Sequence, residues 1–147
     1  MRIRRLRASE WDAASRVIWK SFYDSAPFTP MNAMERFRDL VSPMSLAMNA
    51  ADGSIRFFGA FDKGALVGVG AVKEHREILM LYVLPTAQCH GIGTKLLKAM
   101  ELTVVGDINL NASDYALAFY QKRGYVPRAP RRMEGDLPVT PCVKQRK

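Results

Sequence analysis

Residues Glu77 to Leu97 read E-I-L-M-L-Y-V-L-P-T-A-Q-C-H-G-I-G-T-K-L-L. An apolar run ends at Pro85, a short polar loop follows, and Gly91 and Gly93 open a helix. A strand that ends there delivers several backbone N–H groups and a helix N-terminus to one point. The first N–H groups of a helix lack partners and its dipole is positive at that end, so the point suits an anion. Two phosphate motifs fail on inspection. G-x-x-x-x-G-K-[ST] has no match beyond the partial echo Gly93-Thr94-Lys95, and G-x-G-x-x-G fails at Leu96, where a third glycine belongs.

What the stretch does contain is Gln88-x-x-Gly91-x-Gly93. Before it, the apolar strand ends in Val83-x-Pro85. After it comes Asn111-Ala-Ser-x-x-Ala116-x-x-x-Tyr120-x-x-x-Gly124-Tyr125. Together these resemble the acyl-CoA-binding motif and the second landmark of the GNAT superfamily, the Gcn5-related N-acetyltransferases. The resemblance covers residues 64–126 in detail. It implies an α/β (α+β) fold with a mixed, mostly antiparallel sheet, helices on both faces, and a splay between the fourth and fifth strands. One pattern position departs: Ser113 stands where the family has asparagine, and Asn111, two residues earlier, is the candidate to take over the contact to the pantetheine arm.

The 147 residues predict one domain, residues 1–147, long enough for a real core. No apolar run is long enough to span a membrane, and Met1-Arg-Ile-Arg-Arg-Leu-Arg has no apolar segment behind its charge. A cytoplasmic location is the expectation. Cys89 and Cys142 make no disulfide framework, and with only His75 and His90 beside them a metal site is not expected. The formal charge of +8 admits nucleic acid, an anionic ligand such as coenzyme A, or plain solubility. The basic residues are dispersed and lack interleaved aromatics, which disfavours nucleic acid.

Read in order, Ile3–Leu6 is a strand with outward arginines. Ser9, with an acid three residues on, is the expected N-cap of a helix carrying the stripe Trp11, Ala14, Ile18 and Phe22. Tyr23 to Pro30 interrupts it. Thr29-Pro30 starts a second helix with Met34, Phe37, Leu40 and Val41 as its apolar face, ended or kinked by Pro43. Ile55–Phe61 and Leu66–Val72 are strands joined by Asp62-Lys-Gly64, a hairpin signature. Gly68 and Gly70 mark either a close approach or a tight packing contact. Arg76–Leu84 is a central strand. Gly91–Val104 is a helix with Ile92, Leu96, Leu97, Met100 and Val104 on one side. Ile108–Leu110 is a strand, Ser113 caps a helix that stops at Gly124, and Tyr125-Val126 begins another strand. Leu137–Val143 is a last strand, placed at a sheet edge by Pro138 and Pro141.

Acyl transfer from a thioester to an amine needs the donor's phosphates held, the amine neutral, and the leaving thiolate protonated. For the phosphates the candidates are Gln88, Cys89, His90, Gly91, Ile92, Gly93 and Thr94, with glycine letting a pyrophosphate approach the main chain. In the resemblance, main-chain groups of Leu81, Tyr82 and Val83 pair with the pantetheine amides. For the leaving group the resemblance points to Tyr120, four residues before a glycine–aromatic pair. A thiol of pKa about 8.5 and a phenol near 10 are close enough to share a proton. For the amine, Glu77 falls where some histone acetyltransferases of the superfamily carry their base. Period two puts His75, Glu77, Leu79, Leu81 and Val83 on one face, so His75 is a rival, and a water chain is the third option.

These readings converge on an N-acetyltransferase using acetyl-CoA as co-substrate, by direct attack in a ternary complex. The expected acceptor is the amine of a small molecule or a peptide. Whether the chain acts as a monomer or a homodimer is open, and neither membrane nor nucleic acid is expected as a partner. The alternative is a non-catalytic module that binds acyl-CoA or nucleic acid.

Overall fold

The computed structural model describes every residue except Pro27, Phe28, Cys89 and Lys147. The N-terminal strand β1 (Arg2–Arg5) is followed by helices α1 (Trp11–Ser25), α2 (Met31–Leu40) and α3 (Pro43–Ala50). A meander comes next: β2 (Ile55–Asp62), β3 (Ala65–Lys73) and β4 (Glu77–Val83). Helix α4 (Ile92–Glu101), β5 (Ile108–Ser113), α5 (Leu117–Gln121), β6 (Val126–Pro127), β7 (Arg132–Glu134) and β8 (Leu137–Lys144) complete the chain. The strands form one sheet in the order β1-β2-β3-β4-β5-β8-β6, with β7 also on β8. Every pairing is antiparallel except β4–β5. The fold is therefore the mixed, mostly antiparallel α/β sheet that the sequence implies.

Each face of the sheet carries its own core. Ala14, Val17, Ile18 and Leu46 of α1 and α3 close over Phe57, Val69 and Ala71 on one face. On the other, Ile92, Leu96, Leu97 and Met100 of α4 pack with Val72, Ile78, Leu110 and Tyr125. The helical stripes of α1 and α4 are thus buried as their spacing requires. Full burial of each such side chain is worth about 1.5–3 kcal/mol. Gly70 resolves in favour of packing, since a β-carbon there would lie 2.5 Å from Met100 Sδ. The glycine lets α4 sit directly on β3.

Several local expectations are corrected. The cap at α1 is not Ser9. Glu10 accepts a hydrogen bond from the Arg7 N–H at 2.7 Å while pairing with Arg4 at 2.9 and 2.7 Å. A carboxylate with a guanidinium partner holds that corner more firmly than a serine. Pro43 begins an independent helix, as the first residue after Ser42, whose hydroxyl accepts from Ser45 N–H. Leu40 points to solvent, leaving Val41 to close the stripe.

The last strand is also corrected, because β8 lies inside the sheet between β5 and β6. Pro141 accepts a hydrogen bond from Arg128 N–H at 2.9 Å, so its peptide edge faces the β6 side and its missing donor leaves the β5 ladder intact. Pro138 falls beyond Val139, the last residue of β8 opposite β5. Strand β7, which the basic tail did not announce, pairs with β8 through a turn containing Gly135 at φ 61°.

Candidate active site

The parallel contact between β4 and β5 is short. Glu77 lies opposite Asn109 and Ile78 opposite Leu110, and pairing stops there. From Leu79 to Val83 the β4 edge facing β5 has no strand partner, while β5 stays paired with β8 along its other edge. The result is the splay, with Leu81, Tyr82 and Val83 presenting free main-chain groups along one wall. Two strands cannot diverge in this way without leaving peptide groups to bond water or an extended ligand.

A bulge sets which side chains line the gap. Ala71 pairs with Met80 but Val72 pairs with Ile78, so Leu79 is the extra residue in β4. The insertion reverses the alternation. Ile78, Leu81 and Val83 join the α4 core, whereas Met80 and Tyr82 join the α1 core. Glu77 lies opposite Lys73, two residues on from Ala71, and so belongs to the α1 side with Met80 and Tyr82. The period-two grouping of Glu77 with Leu81 and Val83 is thereby corrected. His75 is off the strand altogether, in a turn at φ 56°, with Nδ1 3.3 Å from Thr103 O. Of the two candidate bases, only Glu77 sits where the splay begins.

The loop after β4 is tied down by side chains. Gln88 Nε2 donates to Val83 O at 3.0 Å, and the Tyr115 hydroxyl donates to Gln88 Oε1 at 3.2 Å. Gly91 precedes α4 at φ 75°, and a β-carbon there would meet nothing within 4 Å. That open space above a left-handed glycine and a helix start fits an anion. Gly93 has a second reason for its size: a β-carbon would lie 3.4 Å from the Phe119 ring. The Ile92 side chain is in the core, so only its main chain is available to a ligand. His90 is exposed, and Cys89 lies outside the described residues.

Thr94 is held by a residue that the sequence reading passed over. Arg123 donates to Thr94 Oγ1 from Nε at 2.9 Å and from Nη2 at 2.6 Å, and to Phe119 O from Nη1 at 2.8 Å. Its guanidinium carbon stands 3.7 Å from the Phe119 ring centroid. The available signal was the four-residue spacing from Phe119 to Arg123 across one helical turn.

Tyr120 is buried, with its ring edge-on to Phe119 and Tyr125 at centroid distances of 5.3 and 5.6 Å. Its hydroxyl has no hydrogen-bond partner among the described residues, yet it is not a sealed, unpaired polar atom. Burial raises its pKa above the usual phenol value, and the nearby Tyr82 phenol and Cys142 thiol push it further. Burial pushes Tyr82 up to about 12. Both phenols are therefore proton donors at neutral pH. Cys142 is fully buried, and burial also raises its thiol.

Asn111 Nδ2 donates to Glu134 Oε2 at 2.9 Å. By alternation Asn111 faces away from Leu110 and Ala112, which belong to the α4 core, so its amide lies on the α1 side of the sheet. Ser113, at the departed pattern position, is the last residue of β5, and its hydroxyl accepts from Ala116 N–H at 3.2 Å. On the same side an ion pair between Arg36 and Asp136 links α2 to the β7–β8 turn. Among the described residues no group of three metal-ligating side chains assembles, and no helix is long and apolar enough to cross a membrane.

Residues 23–146 match the family model described as an acetyltransferase (GNAT) domain, and the chain belongs to that family. No curated protein matches the sequence. Solved structures share its fold. A GCN5-related N-acetyltransferase from Rhodopseudomonas palustris is 22% identical with a TM-score of 0.87, covering 98% of this chain and 94% of its own. The PaiA N-acetyltransferase from Thermoplasma acidophilum, solved in complex with coenzyme A, is 22% identical with a TM-score of 0.81, covering 99% and 98%. A ribosomal-protein-alanine N-acetyltransferase from Brucella melitensis is 15% identical with a TM-score of 0.69, covering 99% of each chain.

Proposed function

We propose that residues 1–147 form one N-acetyltransferase domain that moves an acetyl group from acetyl-CoA to an amine by direct attack in a ternary complex. The observation that carries this reading is the gap that opens after Ile78 and Leu110, with a helix-start glycine at φ 75° beyond the far end of β4. A gap between strands suits the amide-bearing pantetheine arm, and the glycine suits the pyrophosphate. The coenzyme A complex of the Thermoplasma relative favours the same ligand.

In this mechanism the main chain of Leu81, Tyr82 and Val83 hydrogen-bonds the arm, and the N–H groups around Gly91–Thr94 hold the phosphates. Acetyl-CoA supplies the activated thioester. Glu77, at the point where the strands part, takes the proton from the incoming ammonium directly or through water. The neutral amine forms the new C–N bond as the C–S bond breaks. Tyr120 gives its proton to the departing thiolate and later recovers it from solvent. Burial keeps that proton in place at neutral pH, so the acid is always loaded. Asn111, whose amide is bound to Glu134, is the side chain assigned to the pantetheine arm in place of the asparagine missing at Ser113.

Titration calorimetry with acetyl-CoA, using the wild type and Gly91→Glu, tests the reading. Saturable binding that the added carboxylate abolishes supports it, and justifies an amine screen. Absence of binding to the wild type would sink it.

A further inference from the structure

Among the described residues Glu101, the last of α4, is the one charged residue buried in the core. Neither its place nor its surroundings favour a carboxylate. Burial strips away its water, and the C-terminal end of a helix carries negative partial charge. Its partners come from two other parts of the chain. Oε2 accepts from the Tyr125 hydroxyl at 2.8 Å and from Lys144 Nζ, on β8, at 3.2 Å. Arg146 answers the helix end itself, donating from Nη1 to Glu101 O at 3.1 Å and from Nη2 to Val104 O at 2.6 Å. Such a buried ionic group is weak evidence for stability, because apolar side chains of similar volume often serve the fold as well or better. Native chains break local rules of this kind mainly at functional sites.

We propose that Tyr125 is a positioning residue for Tyr120, and that Glu101 is the anchor that fixes it. The inference rests on the reading of Tyr120 as the acid that protonates the leaving thiolate. Tyr125 is fully buried, and its ring meets the Tyr120 ring edge-on, with centroids 5.6 Å apart and 72° between planes. The Tyr125 N–H also donates to Tyr120 O at 3.1 Å, so the two residues are tied by main chain and ring together. Phe119 meets the same ring at 5.3 Å and is itself covered by the Arg123 guanidinium. The Tyr120 hydroxyl has no hydrogen-bond partner among the described residues, so its direction depends on how its ring is packed. A neighbour pinned by its own hydroxyl to a buried carboxylate cannot slide away from that ring. Displacement of a reacting group by about 1 Å costs up to about 10²-fold in rate, which gives such an anchor a catalytic consequence.

Release of coenzyme A from acetyl-CoA with water as the acceptor, together with calorimetry of acetyl-CoA binding, tests this on the full chain. Glu101→Leu/Tyr125→Phe replaces both hydrogen-bonding partners by apolar groups of similar shape, so the melting temperature should stay near that of the wild type. Acetyl-CoA affinity should also stay unchanged, while the rate at saturation falls about tenfold. Glu101→Gln, whose amide oxygen still accepts from Tyr125, should keep most of the rate. In a Tyr120→Phe background the double change should cost nothing further, because the acid it positions is gone. The inference is overturned if the double variant keeps the wild-type rate, or if it loses the same factor with Tyr120 already replaced. Loss of affinity in step with the rate would overturn it too, since the network would then serve the fold alone. A second readout needs no turnover. NMR of ring-labelled tyrosine should show the Tyr120 ring flipping faster in the double variant than in the wild type, and equal rates overturn the inference. Full activity of Tyr120→Phe alone would remove the acid reading itself and the inference with it, a failure distinct from an acid that needs no positioning.

Discussion

Arg123 grips Thr94 with two N–H groups, at 2.9 and 2.6 Å, and so fastens the end of α5 to the first turn of α4. The bonds are part-buried and the guanidinium also covers Phe119. Hydrogen bonds to charged groups contribute about 1.5–3 kcal/mol each when well formed, and the net loss here is smaller because the site is partly wet. Arg123→Ala should lower stability in urea by about 1–2 kcal/mol. It should also weaken acetyl-CoA binding, since Thr94 loses its anchor. Unchanged stability would show that the clasp does not form in solution.

Tyr120→Phe separates chemistry from folding. The hydroxyl has no described partner to lose, so the melting temperature should stay within a degree or two of wild type. Acetyl transfer should fall about 10²–10⁴-fold at saturating acetyl-CoA, the range for loss of a general acid. Stopped-assay rates and calorimetry on the same preparation check both halves. Full activity in the variant would remove Tyr120 from the mechanism.

Gly91→Ala isolates the backbone. A β-carbon there meets no atom within 4 Å, so the cost comes from φ 75° alone. A left-handed residue other than glycine costs about 1–2 kcal/mol. Denaturation should report that loss, and acetyl-CoA affinity should drop beyond it, because the β-carbon occupies the space proposed for the pyrophosphate. A stability loss with unaltered affinity would move the phosphates elsewhere.

The Arg4–Glu10 pair predicts an acid response. The side-chain hydrogen bond from Arg4, more than the Arg7 N–H or the bare charge, lowers Glu10 from 4.5 to about 2. A depressed carboxylate contributes stability that is complete above its unfolded pKa and is lost as the pH falls toward its folded value. The contribution should therefore be full above the ordinary carboxylate range and disappear between about pH 4.5 and 2. Glu10→Gln should flatten the stability profile across that window and leave its slope near neutrality unaltered. A profile identical to wild type there would show the pair to be solvated.

Much of this architecture is written locally. The stripe Ile92, Leu96, Leu97 and Met100 determines one face of α4, because helical spacing decides which residues leave water together, and Val104 is buried just past the end of the helix. Lys63 and Gly64, both at positive φ, make the tight hairpin that Asp62-Lys-Gly64 announces. Gly124 at φ 96° ends α5, with Tyr125 N–H returning to Tyr120 O at 3.1 Å. The loop Gln88–Gly93 with Tyr120 also marks a candidate cofactor site, since those residue types at those spacings resemble one family.

Other features depend on partners distant in sequence. The bulge at Leu79 is invisible in β4 alone, because a register shift exists only against β3, and it moved Glu77 to the other face. Pro141 argues for an edge until Arg128 is seen to bond its carbonyl. Arg123 gains its role only when α4 and α5 meet. Periodicity and turn chemistry are short-range and survive in one dimension. Strand register, the end of the β4–β5 pairing at Ile78, and the meeting of Glu101 with Tyr125 in the core are set by contacts that only the folded chain brings together.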